Sequence, residues 1–263
     1  MLKALLSLVI FITVQIVSTL AALLWSNRHL IGQPGTPDLS SLEADPVSLG
    51  QGLLVGSLLT FPLLYLMGLI RKDGLKVNRA RSALVYVLGI AAFLFLSFGI
   101  NFIVQPLGLD DYNSTALFQA MRHDAACLLL LCVVGPLTEE FIFREGILRS
   151  LAEKHLPPVM AALASALLFA IVHNNPAQAL PAGILGFILG LFYLRSGHLL
   201  LCCMAHVLHN TVAIAIYSLP EGISTFAEES PLTSVLTGSL FLALGTSLFY
   251  LWWKRTEPVQ LHP

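Results

Sequence analysis

Residues 139–144 read Glu139-Glu140-Phe141-Ile142-Phe143-Arg144, three charged side chains inside a stretch otherwise apolar enough for a bilayer. A carboxylate or guanidinium at the bilayer centre costs at least roughly 2.5–3.5 kcal/mol on insertion scales, so such groups turn toward partners or a water-filled cavity. Two further motifs follow, each inside an apolar run: Phe169-x-x-x-His173 and His206-x-x-x-Asn210. Charged groups on one segment and imidazoles on its neighbours point to a buried polar site that does chemistry.

The chain around these motifs belongs to a membrane. Of its 263 residues 56% are hydrophobic and 11% charged, with a mean hydropathy of +0.81, whereas a soluble domain carries about 25% charged residues. The expected fold class is all-α, a polytopic membrane protein. A net charge of −1 gives no ground for a nucleic-acid partner or an anionic surface. Cys127, Cys132, Cys202 and Cys203 all lie in apolar runs without C-x-x-C spacing, and read as small buried hydrophobes. The sequon Asn113-Ser114-Thr115 is too short a signal to carry weight.

Because about 20 apolar residues cross the hydrocarbon core, helices are expected at roughly 2–25, 49–70, 82–105, 124–150, 158–173, 178–195, 198–218 and 232–253. The first apolar run exceeds the 7–15-residue core of a cleavable signal and lacks a small-x-small cleavage site, so it is expected to be retained as a helix. These eight spans divide into helices 1–3 (residues 1–122), core helices 4–7 (123–218) and a last helix with a short tail (219–263). The positive-inside rule tests the count. With the N-terminus inside, Lys3, Arg71, Lys72, Lys76, Arg79, Arg81, Arg149, Lys154, Arg195, Lys254 and Arg255 fall on the inner side, and only Arg28 and Arg122 outside. Asp38, Glu43, Asp45, Asp110, Asp111, Glu221, Glu228 and Glu229 fall in outer loops. A wrong count would scramble that sorting. The expectation is a multi-pass protein of the plasma membrane with both termini cytoplasmic.

Two local features bear on the polar region. Pro136, one turn before Glu139, lacks an N–H and is expected to leave the Cys132 carbonyl without its helical donor. Ala182, Gly186 and Gly190 form a small-xxx-small stripe that reads as helix packing.

On a helix, Glu140 and Arg144 share a face, the acid N-terminal, which suits an ion pair. Glu139 points about 100° away and has Phe143 as its i+4 neighbour. It must find a partner on another helix, bind a metal or water, or stay protonated. His173 at a helix end could simply cap it. His206 and Asn210 share a face, and His209 lies close enough to that face to be ambiguous. Together these groups supply a base, imidazoles and an amide donor for an oxyanion, an inventory that suits attack of water on an amide carbonyl. No Gly-x-Ser-x-Gly or comparable nucleophile context appears.

With its three motifs in order over roughly residues 125–215, the chain resembles the CAAX-processing and bacteriocin-processing (Abi) intramembrane proteases, which include the type II CAAX prenyl endopeptidases. The resemblance implies an eight-helix fold and endoproteolysis of a peptide or protein substrate at the membrane. It implies that Glu139 activates water with help from His173. It also implies that His206 and Asn210 hold or polarise the scissile carbonyl, and that Glu140 with Arg144 orders the helix. One departure stands out: the family commonly has glycine after the arginine, whereas this chain has Glu145 and then Gly146, an acid expected near the cavity mouth. Glu139, His173 and His206 could coordinate Zn²⁺ with a water, or act without a metal; the chain lacks H-E-x-x-H. A transporter or proton relay, and a non-catalytic immunity or scaffold member of the family, are the competing classes.

Overall fold

The computed structural model describes residues 2–30, 42–71, 83–153, 156–219 and 230–257. Asp38, Lys72, Lys76, Arg79, Arg81, Lys154, Glu221, Glu228 and Glu229, used in the charge sorting, lie outside the described residues.

Why the helices begin and end where they do is local chemistry. Asp45, Asn175 and Ser230 each accept the N–H three residues on (Ser48, Gln178 and Thr233). Each is followed by proline at the first helical position, where no N–H is needed. Gly197, at φ 68°, ends a helix in the left-handed conformation and donates to the Tyr193 carbonyl. The resulting elements are α1 (Leu2–Ser26), α2 (Pro46–Leu66), α3 (Ala83–Val104) and α4 (Ser114–Met121). A continuous helical segment, α5 (Ala125–Ala152), follows. The chain goes on through α6 (Pro158–Val172), α7 (Pro176–Ser196), α8 (Leu199–Tyr217) and α9 (Pro231–Lys254). There is no strand among the described residues.

Seven of these helices are long and apolar enough to cross a membrane, and the eighth expected span is the shorter apolar α6. The chain is thus a multi-pass membrane protein of about eight helices. α4 is an addition that the sequence left as loop. Asp111 nucleates it by accepting the N–H groups of Asn113 and Thr115, and eight residues are too few to register as a hydropathy span.

With no water to expel between helices in lipid, close packing of small residues does the work. A Cβ on Gly245 of α9 would lie 2.7 Å from the Leu96 nitrogen of α3, a contact that admits only glycine. The α7 stripe seats against α6: a Cβ on Gly186 would meet Phe169 Cδ1 at 2.8 Å, and one on Gly190 would meet Ala162 at 3.1 Å.

The basic residues gather at one end of the bundle. There Lys3 donates to the Gly68 carbonyl, Arg195 donates to the Trp253 carbonyl, and Arg71 and Arg149 both bind Glu145. Glu145 corrects an expectation. It does not line the cavity mouth; it is 3% exposed and held by Arg71 at 2.8 Å and by the Tyr193 hydroxyl at 2.6 Å. The acid that replaces the family glycine joins the end of α2 to α5 and α7. Gly146, beside it, provides the room glycine would: a Cβ there would sit 2.7 Å from Ser7 Oγ.

Candidate active site

α5 is not a uniform helix. Residues Leu130–Val134 and Phe141–Leu148 are π-helical, a wide turn frequent at functional sites. Gly135 donates to the Leu130 carbonyl five residues back. In this register the acceptor that Pro136 cannot reach is Leu131, rather than Cys132 as a plain α-helix would have it. The Leu131 carbonyl is instead taken by Asn210 of α8, whose Nδ2 donates at 3.0 Å. The proline therefore opens a seat for Asn210, using one of its two amide hydrogens.

Glu140 and Arg144 form the pair expected from their spacing, fully buried on both sides, with Nε 2.9 Å from Oε2 and Nη2 3.2 Å from Oε1. The guanidinium carbon also lies 5.5 Å from the centre of the Phe169 ring. The same carboxylate binds His206, whose Nδ1 is 2.9 Å from Glu140 Oε1. A carboxylate paired with arginine can only accept, so Nδ1 carries the hydrogen and Nε2 is left for other work. Nε2 faces Glu139, 3.7 Å from its Oε2, and the Glu139 side chain is 26% exposed. The partner Glu139 needed on another helix is thus His206.

His173 follows the same logic. It caps α6, and its Nδ1 lies 2.7 Å from the Phe169 carbonyl. A carbonyl only accepts, so here too Nδ1–H is spent and Nε2 remains. Capping and a site role coexist in one ring. Between the two imidazoles stands Phe169, edge-on to His173 at 4.6 Å and to His206 at 6.1 Å. This spacer role went unnoticed in the sequence, although the i, i+4 spacing of Phe169 and His173 carried the signal. His209 turns to α3, with Nδ1 3.0 Å from Ser97 Oγ and its ring against Phe93 and Phe98.

Glu139, His173, His206 and Asn210 all line one cavity of about 940 Å³, while Glu140 and Arg144 stand behind its wall. Phe11 and Gln15 of α1 and Ser57 of α2 line it on one side, and Asp111, Ser114 and Gln178 lie toward the end opposite the basic cluster. Among the described residues no three His, Cys, Asp or Glu side chains are placed to hold one metal ion.

Residues 122–212 match the family model described as type II CAAX prenyl endopeptidase Rce1-like. The chain is similar to the protein named "Putative membrane peptidase YdiL" of Bacillus subtilis (strain 168), 27% identical over 174 residues. That alignment covers 65% of this chain and 70% of the relative. No solved structure matches. Both matches agree with the resemblance read from the motifs, and the family model spans the region that holds the site.

Proposed function

We propose that, as a relative of these membrane proteases, the chain is an intramembrane endopeptidase in which Glu139 and two imidazoles drive water against a peptide bond. The observation that carries this is the Glu139–His206 pair: 3.7 Å between Oε2 and Nε2, in a cavity that His173 also lines. At that separation the two groups are not directly hydrogen-bonded, and the proposal seats the reacting water against both of them.

In the proposed reaction Glu139 takes a proton from that water as its oxygen attacks the carbonyl carbon. The oxyanion is met by the second amide hydrogen of Asn210 and by Nε2–H of His206 when that ring is protonated. Glu140 orients His206 through Nδ1, as the aspartate orients histidine in a hydrolytic triad. When the C–N bond breaks, the proton held by Glu139 passes to the departing amine, with His173 Nε2 at hand to accept or relay it. Water adds across one bond, and no external reactant is needed. Since the described residues do not assemble a metal ligand set, no step is routed through Zn²⁺.

The substrates are membrane-associated peptides or proteins, reaching the cavity from lipid or from its open end. By the positive-inside bias the basic end of the bundle is cytoplasmic and the chain sits in the plasma membrane, so the Asp111–Gln178 rim opens on the opposite face. Profiling of protein termini in membranes carrying the wild type or Glu139→Gln tests the proposal. Termini that depend on Glu139 support it; identical termini in both refute it.

A further inference from the structure

Resting on the proposed endopeptidase activity, we infer that His209 is a substrate-binding residue whose Nε2 accepts a main-chain N–H next to the scissile bond. The subsite it forms with α3 takes extended peptide backbone rather than one particular side chain.

The tautomer of His209 follows from its neighbour on α3. Ser97 has a single hydroxyl hydrogen and donates it to the Leu94 carbonyl at 2.9 Å. Its oxygen lies 3.0 Å from His209 Nδ1 and can there only accept, so Nδ1 carries the hydrogen. Nε2 keeps its lone pair, and it makes no hydrogen bond among the described residues. Phe93 and Phe98 hold the ring, their centres 6.0 Å and 5.5 Å from it. Ser97 also anchors Asn101, whose Nδ2 donates to the Ser97 carbonyl at 2.8 Å.

Three imidazoles line the cavity: His173, His206 and His209. Each spends its Nδ1 hydrogen on a fixed acceptor and leaves Nε2 over. The proposed reaction uses the first two and gives the third no task. It also leaves one demand unmet. Peptide backbone drawn into a lipid-shielded cavity must have its N–H groups satisfied there. Asn210 and His206 donate to the oxyanion, while Glu139 and His173 handle the protons of the water and the departing amine. None of the four is free to accept a main-chain N–H. His209 Nε2 is such an acceptor.

Its position fits the task. His209 lies three residues beyond His206 on α8, a rise of about 4.5 Å, and is turned about 60° from it, on the side of Ser97. One step along an extended chain covers about 3.3–3.6 Å. A peptide with its reacting carbonyl at His206 and Asn210 therefore brings a neighbouring N–H to the level of His209.

The test is a cycle of enzyme and substrate changes. Synthetic peptides copy a cleavage site found by terminal profiling, with the peptide bond just before or just after the scissile one replaced by an ester, which removes that N–H. Cleavage of the unaltered scissile bond is measured with the full chain in detergent, for wild type, His209→Phe and Ser97→Ala. For wild type, one of the two esters should lower kcat/KM by about fivefold to tenfold. His209→Phe keeps a ring against Phe93 and Phe98; it should lose a similar factor on the all-amide peptide and be indifferent to that ester. Ser97→Ala, which frees the imidazole to turn, should shrink the ester effect and serves if the phenylalanine variant does not fold. A merely structural role would lower cleavage of amide and ester peptides by the same factor. That result, or a wild type indifferent to both esters, would overturn the inference and leave the endopeptidase standing. If no terminus depends on Glu139, the proposed activity fails first and takes the inference with it.

Discussion

His206 Nδ1 lies 2.9 Å from Glu140 Oε1, so the carboxylate that neutralises Arg144 also fixes the tautomer of the imidazole facing Glu139. One buried acid thus links the structural ion pair to the reacting edge of the site. Replacing it by Glu140→Gln should lower kcat by about 10²–10⁴ and, by leaving Arg144 buried without its counter-charge, cost about 3–5 kcal/mol of stability. Thermal unfolding and cleavage rates measured on Glu140→Gln and on Glu140→Gln with Arg144→Met separate the two roles. The double variant regains stability and stays inactive.

Asn210 gives a second separation. Asn210→Leu leaves the Leu131 carbonyl, freed by Pro136, without its donor, at a cost of about 1–3 kcal/mol. Adding Pro136→Ala supplies a backbone N–H in the π register, so the pair should unfold closer to wild type. Activity should remain low, because the amide that meets the oxyanion is still missing.

Packing reaches the site through Phe169. Gly186→Ala places a methyl 2.8 Å from Phe169 Cδ1 and must push the ring that stands between His173 and His206. A loss of about 1–3 kcal/mol with reduced cleavage is expected. Gly190→Ala, whose contact is 3.1 Å from the Ala162 methyl, should cost less and spare activity.

Metal removal follows from the placement of Glu139, His173 and His206. Protein dialysed against a strong chelator, and checked by elemental analysis to hold no stoichiometric zinc, should retain full cleavage activity. Loss of activity restored by added Zn²⁺ would mean these side chains regroup around an ion.

Much of this was legible in the chain because membranes simplify the reading. Long apolar runs gave the eight spans, and the four-residue spacing of Glu140 and Arg144 gave their pairing. The spacing of Ala182, Gly186 and Gly190 gave a packing stripe, though not its partner α6. What could not be read depends on register and on long-range partners. The π turn at Leu130–Val134 changes which carbonyl Pro136 frees, and no hydropathy pattern records a helix widened by one residue. That His206 touches both glutamates, that Asn210 spends a hydrogen on Leu131, and that Glu145 joins Arg71 and Tyr193 are meetings of residues 48 to 79 positions apart.

Glu139 is the residue on which hydrolysis turns, and its Oε2 sits beside His206 Nε2 without forming the core of the fold. The direct measurement is the cleavage rate of purified Glu139→Gln against wild type on one peptide, with unfolding temperatures recorded for both. A rate at least about 10²-fold lower at an unchanged unfolding temperature is expected. A variant that cleaves within a few-fold of wild type would show that no water is activated there.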